Sequence, residues 1–587
     1  MGRALDGRIG LMTSTYTTGT AFLEALQELG VEYAFANLGS DHTSLIEAMA
    51  EAPHSGRRFP QLITCPHEMV ALTAAHGYAQ LTGRAQAVIV HVECGTQSLG
   101  GAIHNAAKGR VPVLIFAGAS PVTQEGEARG SRNEFIHWIQ DVFDQRGLVR
   151  GYMRYDNELR SGSNVKQIVY RAMQFAHSDP KGPVYLMGAR EVMEAEVAPV
   201  ALKRSQWPAV SASALPPEGV ERVASALTQA RRPLIVTSYL GRNTSAVEQL
   251  VNLASRVGAG VLESVPTCVN FPSTHPLYQG SQWNEKRQNE ALAEADVVLV
   301  IDSDVPWIPL LNHPDAGARI IHIDLDPLKQ QMPLWYIHAE QVYRADGLTA
   351  LRQLNAHLQS LRIDAAAVTE RTVHFGKRHA ARQSEIDALE VASGDALTPE
   401  YLTACVRQAI GEDAVVMSEG VTNFTAIANH SGRVKPGTLF TAGAGSLGWS
   451  GGAAFGAKLA RPDKLVVALC GDGSYMFSVP STVHWMARRY RTPFLQVVYD
   501  NSGWKAPRFS ALGVHPDGFT SRTTDIGTSF DPPPDYGSIA AAAGGAHAQK
   551  ITRASEVEPA LDKALKAIRE EGRCAVIDAV LAPPLKA

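Results

Sequence analysis

Lys464-Leu465-Val466-Val467-Ala468-Leu469-Cys470-Gly471-Asp472-Gly473-Ser474 is the stretch on which the fold turns. Leu465 to Cys470 are apolar on both faces of an extended chain, as in a strand buried inside a parallel sheet. Gly471-Asp472-Gly473 then lets the chain turn at the strand's carboxyl end. Similar runs recur at 86–92, 112–118, 183–187, 233–237, 296–301, 319–323, 493–499 and 574–580. Between them lie amphipathic helical stretches such as 18–29, 68–82, 219–230 and 556–570. This alternation predicts an α/β protein of doubly wound parallel sheets.

At roughly 150 residues per domain, 587 residues imply several domains. Residues 198–217 are rich in Pro, Ser and Ala, and 356–397 are polar and charged, so both read as linkers. The expected division is 1–195, 198–355, a partly helical linker at 356–389, and 390–587, each domain long enough for one sheet and its core. Hydrophobic residues are 45% and charged residues 19%, inside the globular range. A net charge of −4, from 54 basic and 58 acidic residues, gives no footprint for nucleic acid or an anionic membrane. The six cysteines form no C-x-x-C pair, which suits a reducing compartment. No window approaches the ~18 apolar residues of a membrane helix. Met1-Gly2 opens like an acylation signal, but Asp6 stands where Ser or Thr is wanted. The cytoplasm is the expected location.

Chemistry enters at two strand ends. Asp472, in Gly471-Asp472-Gly473-Ser474, offers a carboxylate, and Asn501, in Tyr499-Asp500-Asn501-Ser502-Gly503, an amide oxygen. With a backbone carbonyl near Gly503 they would suit a hard cation such as magnesium, which usually keeps a phosphate in its shell. Gly471 and Gly473 leave room for that phosphate at a helix start. Each half alone also fits an ordinary turn, and together they favour a metal-diphosphate site. A competing signal, Gly443-Ala444-Gly445-Ser446-Leu447-Gly448, matches G-x-G-x-x-G and would suggest a nicotinamide fold. It lacks a well-placed acidic partner, since Asp463 falls at a turn and Asp472 is already used.

Gly471-Asp472-Gly473-Ser474 to Asn501, with 27 residues between Gly473 and Asn501, resembles the thiamine diphosphate motif. Three more matches follow in order: Cys65-Pro66-His67-Glu68 with His76-Gly77-Tyr78-Ala79, Ile321 to Pro327, and Phe455 to Pro462. By this resemblance the chain is identified as a member of the pyruvate decarboxylase, acetolactate synthase and benzoylformate decarboxylase superfamily. The resemblance implies pyrimidine-binding, middle and diphosphate-binding domains, with thiamine diphosphate and magnesium as cofactors. It implies that Glu68 activates the cofactor's aminopyrimidine ring and that the Gly445 carbonyl accepts from its amino group. It further implies that Leu447, with Ser446 beside it, wedges the cofactor bent, and that Thr422, Asn423, Gly473 and Ser474 hold the diphosphate. Asp472, Asn501 and Gly503 would hold the metal. Active sites would form between subunits of a dimer at least, and of a tetramer by analogy.

Asn37-Leu38-Gly39-Ser40-Asp41-His42 ends the first strand, the usual edge for an α/β ligand crevice. It is similar to the loop of benzoylformate decarboxylase whose serine binds substrate, and Ser40 takes that position. His91 falls where that enzyme has an active-site histidine, which could shuttle protons near neutrality. His42 and Asp41 are weaker candidates. His76 replaces the family's acidic residue, and Asp302-Ser303-Asp304 stands where flavin-binding synthases carry Gly and Arg, which argues against FAD. The long stretch after Asn501, to Pro534, reads as an irregular cap carrying Trp504 and Arg508.

The leading expectation is a lyase or transferase that cleaves or forms a C–C bond beside a carbonyl, with a 2-oxo acid donor. Acetolactate synthase-like carboligation and 2-oxo acid decarboxylation are its subtypes. The alternatives are a lyase for 2-hydroxyacyl-CoA or acyloins, and a catalytically inactive regulatory subunit of the same fold.

Overall fold

The computed structural model of the protein describes residues 15–583 apart from Lys286, Ser393 and Thr524. Met1, Gly2 and Asp6 lie outside the described residues. The chain divides into two compact units: 1–75, 84–103 and 111–209 in the first, and 76–83, 104–110 and 210–587 in the second.

In the first unit six parallel strands form one sheet: β1 (Tyr33–Ala36), β2 (Gln61–Thr64), β3 (Ala87–Val90), β4 (Leu114–Ala119), β5 (Tyr155–Leu159) and β6 (Val184–Ala189). Their order is β2-β1-β3-β4-β6-β5, with Phe35 opposite Val88 and Val88 opposite Ile115. Every residue of β3 and β4 is buried, as two-sided apolar runs require. From β1 the chain goes to one side for β2 and to the other for β3, so the switch-point crevice lies at the carboxyl ends of β1 and β3. The expected strand at 86–92 stops at Val90 because Val92 adopts φ +30° and a helix, Val92–Ser98, begins there.

The second unit holds two more parallel sheets. One contains β7 (Pro233–Thr237), β8 (Gly260–Ser264), β9 (Tyr278–Gln282), β10 (Val297–Ile301), β11 (Arg319–Asp324) and β12 (Gln341–Arg344), ordered β12-β11-β10-β7-β8-β9. The other contains β13 (Val415–Glu419), β14 (Leu439–Thr441), β15 (Val466–Gly471), β16 (Leu495–Asp500), β17 (His547–Ile551) and β18 (Ala575–Val580), ordered β14-β13-β15-β16-β18-β17. This last order repeats that of the first sheet, so its crevice lies at the ends of β13 and β15, where Glu419 and Asp472 stand. A 25-residue helix, Ala365–Leu389, occupies the stretch read as a linker. The stretch after Asn501 is more regular than expected: a helix, Lys505–Val514, forms there without burying any of its residues.

Gly77, near the end of the helix Glu68–Thr82, lies against the helix Ser450–Ala460. A Cβ at Gly77 would stand 2.3 Å from the Ala453 carbonyl oxygen and 2.6 Å from its Cα, backbone that cannot rotate away. Gly77→Ala is therefore expected to destabilise the second unit by about 1–3 kcal/mol through overpacking. A urea unfolding midpoint unchanged from that of the parent protein would refute this.

Candidate active site

At the end of β15, Asp472 begins a short helix and is 2% exposed. Its Oδ1 accepts the Gly473 N–H at 2.7 Å and its Oδ2 the Gly503 N–H at 2.6 Å. Burial pushes the Asp472 carboxyl up to about 7, against those two hydrogen bonds. At the end of β16, the Asn501 amide donates Nδ2–H to Thr422 Oγ1 at 2.9 Å, while its Oδ1 is buried without a partner. A carboxylate and an orphaned amide oxygen on neighbouring strands fit a hard cation, for which such an acceptor would be a ligand. Among the described residues no group of three or more His, Cys, Asp or Glu side chains could bind a metal.

Gly503 has φ +123°, and a Cβ there would strike the Thr528 carbonyl oxygen at 2.1 Å, so the turn admits only glycine. The Gly473 N–H, expected to meet a phosphate, is taken by Asp472, and the Trp504 indole nitrogen lies 2.3 Å from where a Gly473 Cβ would be. Trp504 thus stands over the site, while Arg508 Nη1 donates to the Thr523 carbonyl inside its own loop. Ser474 Oγ reaches the Glu419 carbonyl at 3.4 Å. Asn423 occupies the cap position of the helix Phe424–His430 but makes no side-chain cap bond, and its Nδ2 is buried without a partner.

The loop 443–450 is held from two sides, which the motif reading missed. Asn105 donates Nδ2–H to the Ser446 carbonyl at 2.8 Å and accepts the Ser446 N–H at 3.1 Å. Glu419 accepts the N–H of Gly448 at 2.6 Å and of Ser450 at 2.7 Å. Burial raises the Glu419 carboxyl to about 7 against those bonds. Gly445 has open space around it, and Leu447 is only partly buried and outside the core. His76, the departure from the family pattern, is buried edge-on against Trp449 at 5.6 Å, and burial lowers it to about 3.

The switch point of the first sheet gathers the other candidates. Glu68 opens its helix, 9% exposed, and Oε1 accepts the Asn37 amide at 2.8 Å. His91 Nδ1 lies 2.5 Å from Asp41 Oδ1, and His91 Nε2 lies 2.9 Å from Gln140 Oε1. The Asp41 carboxylate can only accept, so His91 Nδ1 donates to it, and Nε2 faces the Gln140 carboxamide. Its pKa is accordingly raised, first by the Asp41 hydrogen bond and against burial. Burial would lift the Asp41 carboxyl, but His42, His91 and the Val92 N–H hold it below the usual carboxylate range. The pair is tightly walled: a Cβ on Gly39 would meet His91 Nδ1 at 2.0 Å, and one on Gly118 would meet Asp41 Oδ2 at 1.8 Å. Val92, whose N–H donates to Asp41 Oδ2, holds its strained positive φ at this point.

Asp41, a weaker candidate in the sequence, is thus the centre of this cluster, and Gln140, His137 and Arg190 join it from segments that gave no periodic signal. Ser40 Oγ lies 3.2 Å from His137 Nε2. His42, expected in the pocket, turns inward instead: it is 1% exposed, accepts the Gly39 N–H at Nδ1 and faces Phe116. Burial lowers its pKa, and it braces the Ser40 loop from behind.

In the middle sheet, the strand ends carry a buried ion cluster. Lys329 Nζ lies 2.7 Å from Asp324 Oδ2 and 2.8 Å from Asp304 Oδ1, and Arg110 Nη2 lies 3.0 Å from Asp304. Asp302, buried and pushed up to about 7 by that burial, has Oδ1 without a partner. These carboxylates do not fit a flavin diphosphate. A cavity of about 280 Å³ beside them is lined by Lys108, Arg110, Tyr239, Arg242 and Asp304 among others.

Three family models match in order. Residues 16–148 match the thiamine pyrophosphate enzyme N-terminal TPP binding domain, 220–332 the central domain and 420–579 the C-terminal TPP binding domain. The chain is 27% identical to a benzoylformate decarboxylase of Pseudomonas aeruginosa over 84% of this chain and 88% of that protein. It is 26% identical to a sulfoacetaldehyde acetyltransferase of Castellaniella defragrans over 96% and 92%. A solved structure, the thiamine diphosphate-dependent 4-hydroxybenzoylformate decarboxylase of Rhodococcus jostii RHA1, shares the fold with a TM-score of 0.76 at 22% identity, over 96% of this chain and 99% of that one. No helix among the described residues is long and apolar enough to cross a membrane.

Proposed function

We propose, from the premise that this chain belongs to the thiamine pyrophosphate enzymes, that it decarboxylates a 2-oxo acid. The observation that carries this reading is the Asp41–His91–Gln140 chain. Decarboxylation must put a proton where the carboxyl group leaves, and His91, whose pKa the Asp41 hydrogen bond raises, stands at the switch point to supply one. Glu68 of one subunit, with Gly445 and Leu447 of another, would hold the cofactor's aminopyrimidine ring. Thr422, Asn423, Ser446, Gly473 and Ser474 would frame its remaining length, and Asp472, Asn501 and the Gly503 carbonyl would hold magnesium. Thiamine diphosphate, when bound, supplies the carbon nucleophile and the electron sink for this bond cleavage.

The chain's own residues do the rest. Glu68, with Oε1 held by Asn37, would hold or move a proton at Oε2. Ser40 receives the acid. His91 delivers from Nε2, whose bond is to a neutral amide, rather than from Nδ1, which is held by the buried Asp41 carboxylate. Phe135, Ile139 and Phe143, 79%, 75% and 112% exposed, give the first unit an apolar surface of the kind a second subunit covers, in keeping with an oligomer that shares its sites.

The test is carbon dioxide release from phenylglyoxylate and from pyruvate, with and without thiamine diphosphate and magnesium. Cofactor-dependent release is expected, and sedimentation of the same sample is expected to give at least twice the 63.1 kDa chain mass. No release from either acid in cofactor-loaded protein, with cleavage of acyloins or acyl-CoA thioesters instead, would overturn the assignment.

A further inference from the structure

We propose that Asn105 and Glu419 are positioning residues for the cofactor: they clamp the backbone on either side of Leu447, so that the Gly445 carbonyl and the Leu447 side chain meet the aminopyrimidine ring on a loop already fixed. The inference deepens the proposed function and rests on it for the place of that ring.

Gly443-Ala444-Gly445-Ser446-Leu447-Gly448 is a loop with wide backbone freedom, because half of it is glycine. Ordering it only when a ligand arrives would take that lost entropy out of the binding energy. The fold orders it beforehand. Gly445 stays exposed at the tip, while Gly448 is buried.

On one side stands Asn105, 1% exposed. Its carboxamide takes both backbone groups of Ser446, donating to the carbonyl at 2.8 Å and accepting the N–H at 3.1 Å. The Ser446 N–H shares a trans peptide plane with the Gly445 carbonyl, so holding the one aims the other in the opposite direction. The segment that carries Asn105 is itself anchored. Lys108 Nζ donates to the Gln331 carbonyl at 2.7 Å, and Arg110 Nη2 lies 3.0 Å from Asp304 Oδ1 in the middle sheet's ion cluster.

On the other side, Glu419 ends β13, 8% exposed, and spends one carboxylate oxygen on the Gly448 N–H and the other on the Ser450 N–H. Ser450 opens a helix whose first N–H groups have no partner within it, and Trp449 at the cap position makes no side-chain cap bond. A carboxylate from the neighbouring strand fills that need with charge-assisted bonds. Each of the three peptide groups from Gly445 to Gly448 therefore has one member held: the Ser446 N–H, the Ser446 carbonyl and the Gly448 N–H. Both residues act through the loop rather than on the ring.

The experiment measures binding of thiamine diphosphate and of inorganic diphosphate, each with magnesium, by calorimetry. Glu419→Gln keeps the volume but sets an NH2 group against one of the two N–H donors, and Asn105→Leu removes both bonds to Ser446. Each is expected to weaken thiamine diphosphate binding by about 10–100-fold, the range for leaving a buried hydrogen-bonding group unmet. Inorganic diphosphate, which has no ring to position, should bind as it does to the parent. The double variant should lose less than the product of the two single losses, since both free the same loop. The two substitutions approach the loop from opposite sides, so either one tests the clamp if the other does not fold.

Unchanged thiamine diphosphate affinity in a folded variant, or equal losses for both ligands, would overturn the proposal. Leu447→Ala keeps both clamps and tests the ring's place alone: affinity lost there but not in the clamp variants refutes the clamp, and affinity unchanged in all three refutes the ring's place as well. A selective loss of thiamine diphosphate affinity, in a protein that releases carbon dioxide from neither acid, would leave the clamp standing and remove the decarboxylase reading instead.

Discussion

Glu68→Gln is expected to lower cofactor-dependent carbon dioxide release by about 10²–10⁴-fold, the range for removing a positioned acid–base group. The substitution keeps the side chain's shape, and the Gln oxygen can still accept the Asn37 amide where Glu68 Oε1 now does. Glu68 is 9% exposed at the first turn of a helix whose following residues Val70 and Leu72 are buried, so the fold has no reason to change. What disappears is a carboxylate able to take and return a proton. Thermal stabilisation by thiamine diphosphate and magnesium should persist in the variant, which separates lost chemistry from lost binding. Turnover within a few-fold of the parent would show that Glu68 is an ordinary helix-start glutamate.

Asp41→Asn carries the second large effect, and pH reads it. With His91 as the proposed proton donor, activity is expected to fall as pH rises through its pKa. The hydrogen bond from His91 to Asp41 is the main cause that raises this pKa above the ordinary 6.5, against burial. Four groups face His91: Asp41 and Glu68 raise its pKa, Gln140 raises it by hydrogen bonding, and buried His42 sits behind Asp41. Asparagine removes the strongest of these. The alkaline limb of kcat is therefore expected to move to lower pH, and kcat at pH 7.5 to fall by about 10–100-fold, the lower part of the acid–base range. A limb that stays in place, with kcat reduced equally at every pH, would mean that Asp41 only shapes the loop.

Three strands of each sheet were legible from their two-sided apolar runs, because a strand buried on both faces announces itself residue by residue. That Asp472 and Asn501 stand at the ends of neighbouring strands was legible for a related reason: short contiguous motifs at strand ends occupy one place in space whatever the remaining chain does. His42 shows the limit of that logic. Ser40, Asp41 and His42 are adjacent in sequence, but a tight turn sends their side chains in different directions, one toward His137, one to His91 and one into the core.

The residues that escaped the sequence reading share one property. Asn105, Gln140, His137, Arg190 and Glu419 act by reaching across elements, and their partners lie 341, 49, 97, 150 and 29 residues away. Nothing local distinguishes them from any buried polar residue. The helix at Lys505–Val514 escaped because it lies in a stretch rich in Gly, Pro and Asp, and it buries none of its residues.

The sequence by itself determined the parallel α/β class, the two strand ends that hold the metal-diphosphate signature and the thiamine resemblance, because burial patterning and contiguous motifs are local properties of the chain. Only the tertiary structure decided that Asp41 meets His91, that His137 meets Ser40, and that the middle sheet's strand ends carry ion pairs. Those facts depend on which distant side chains share a few ångströms of low-dielectric space, where an unpaired charge or an unmet hydrogen bond costs most.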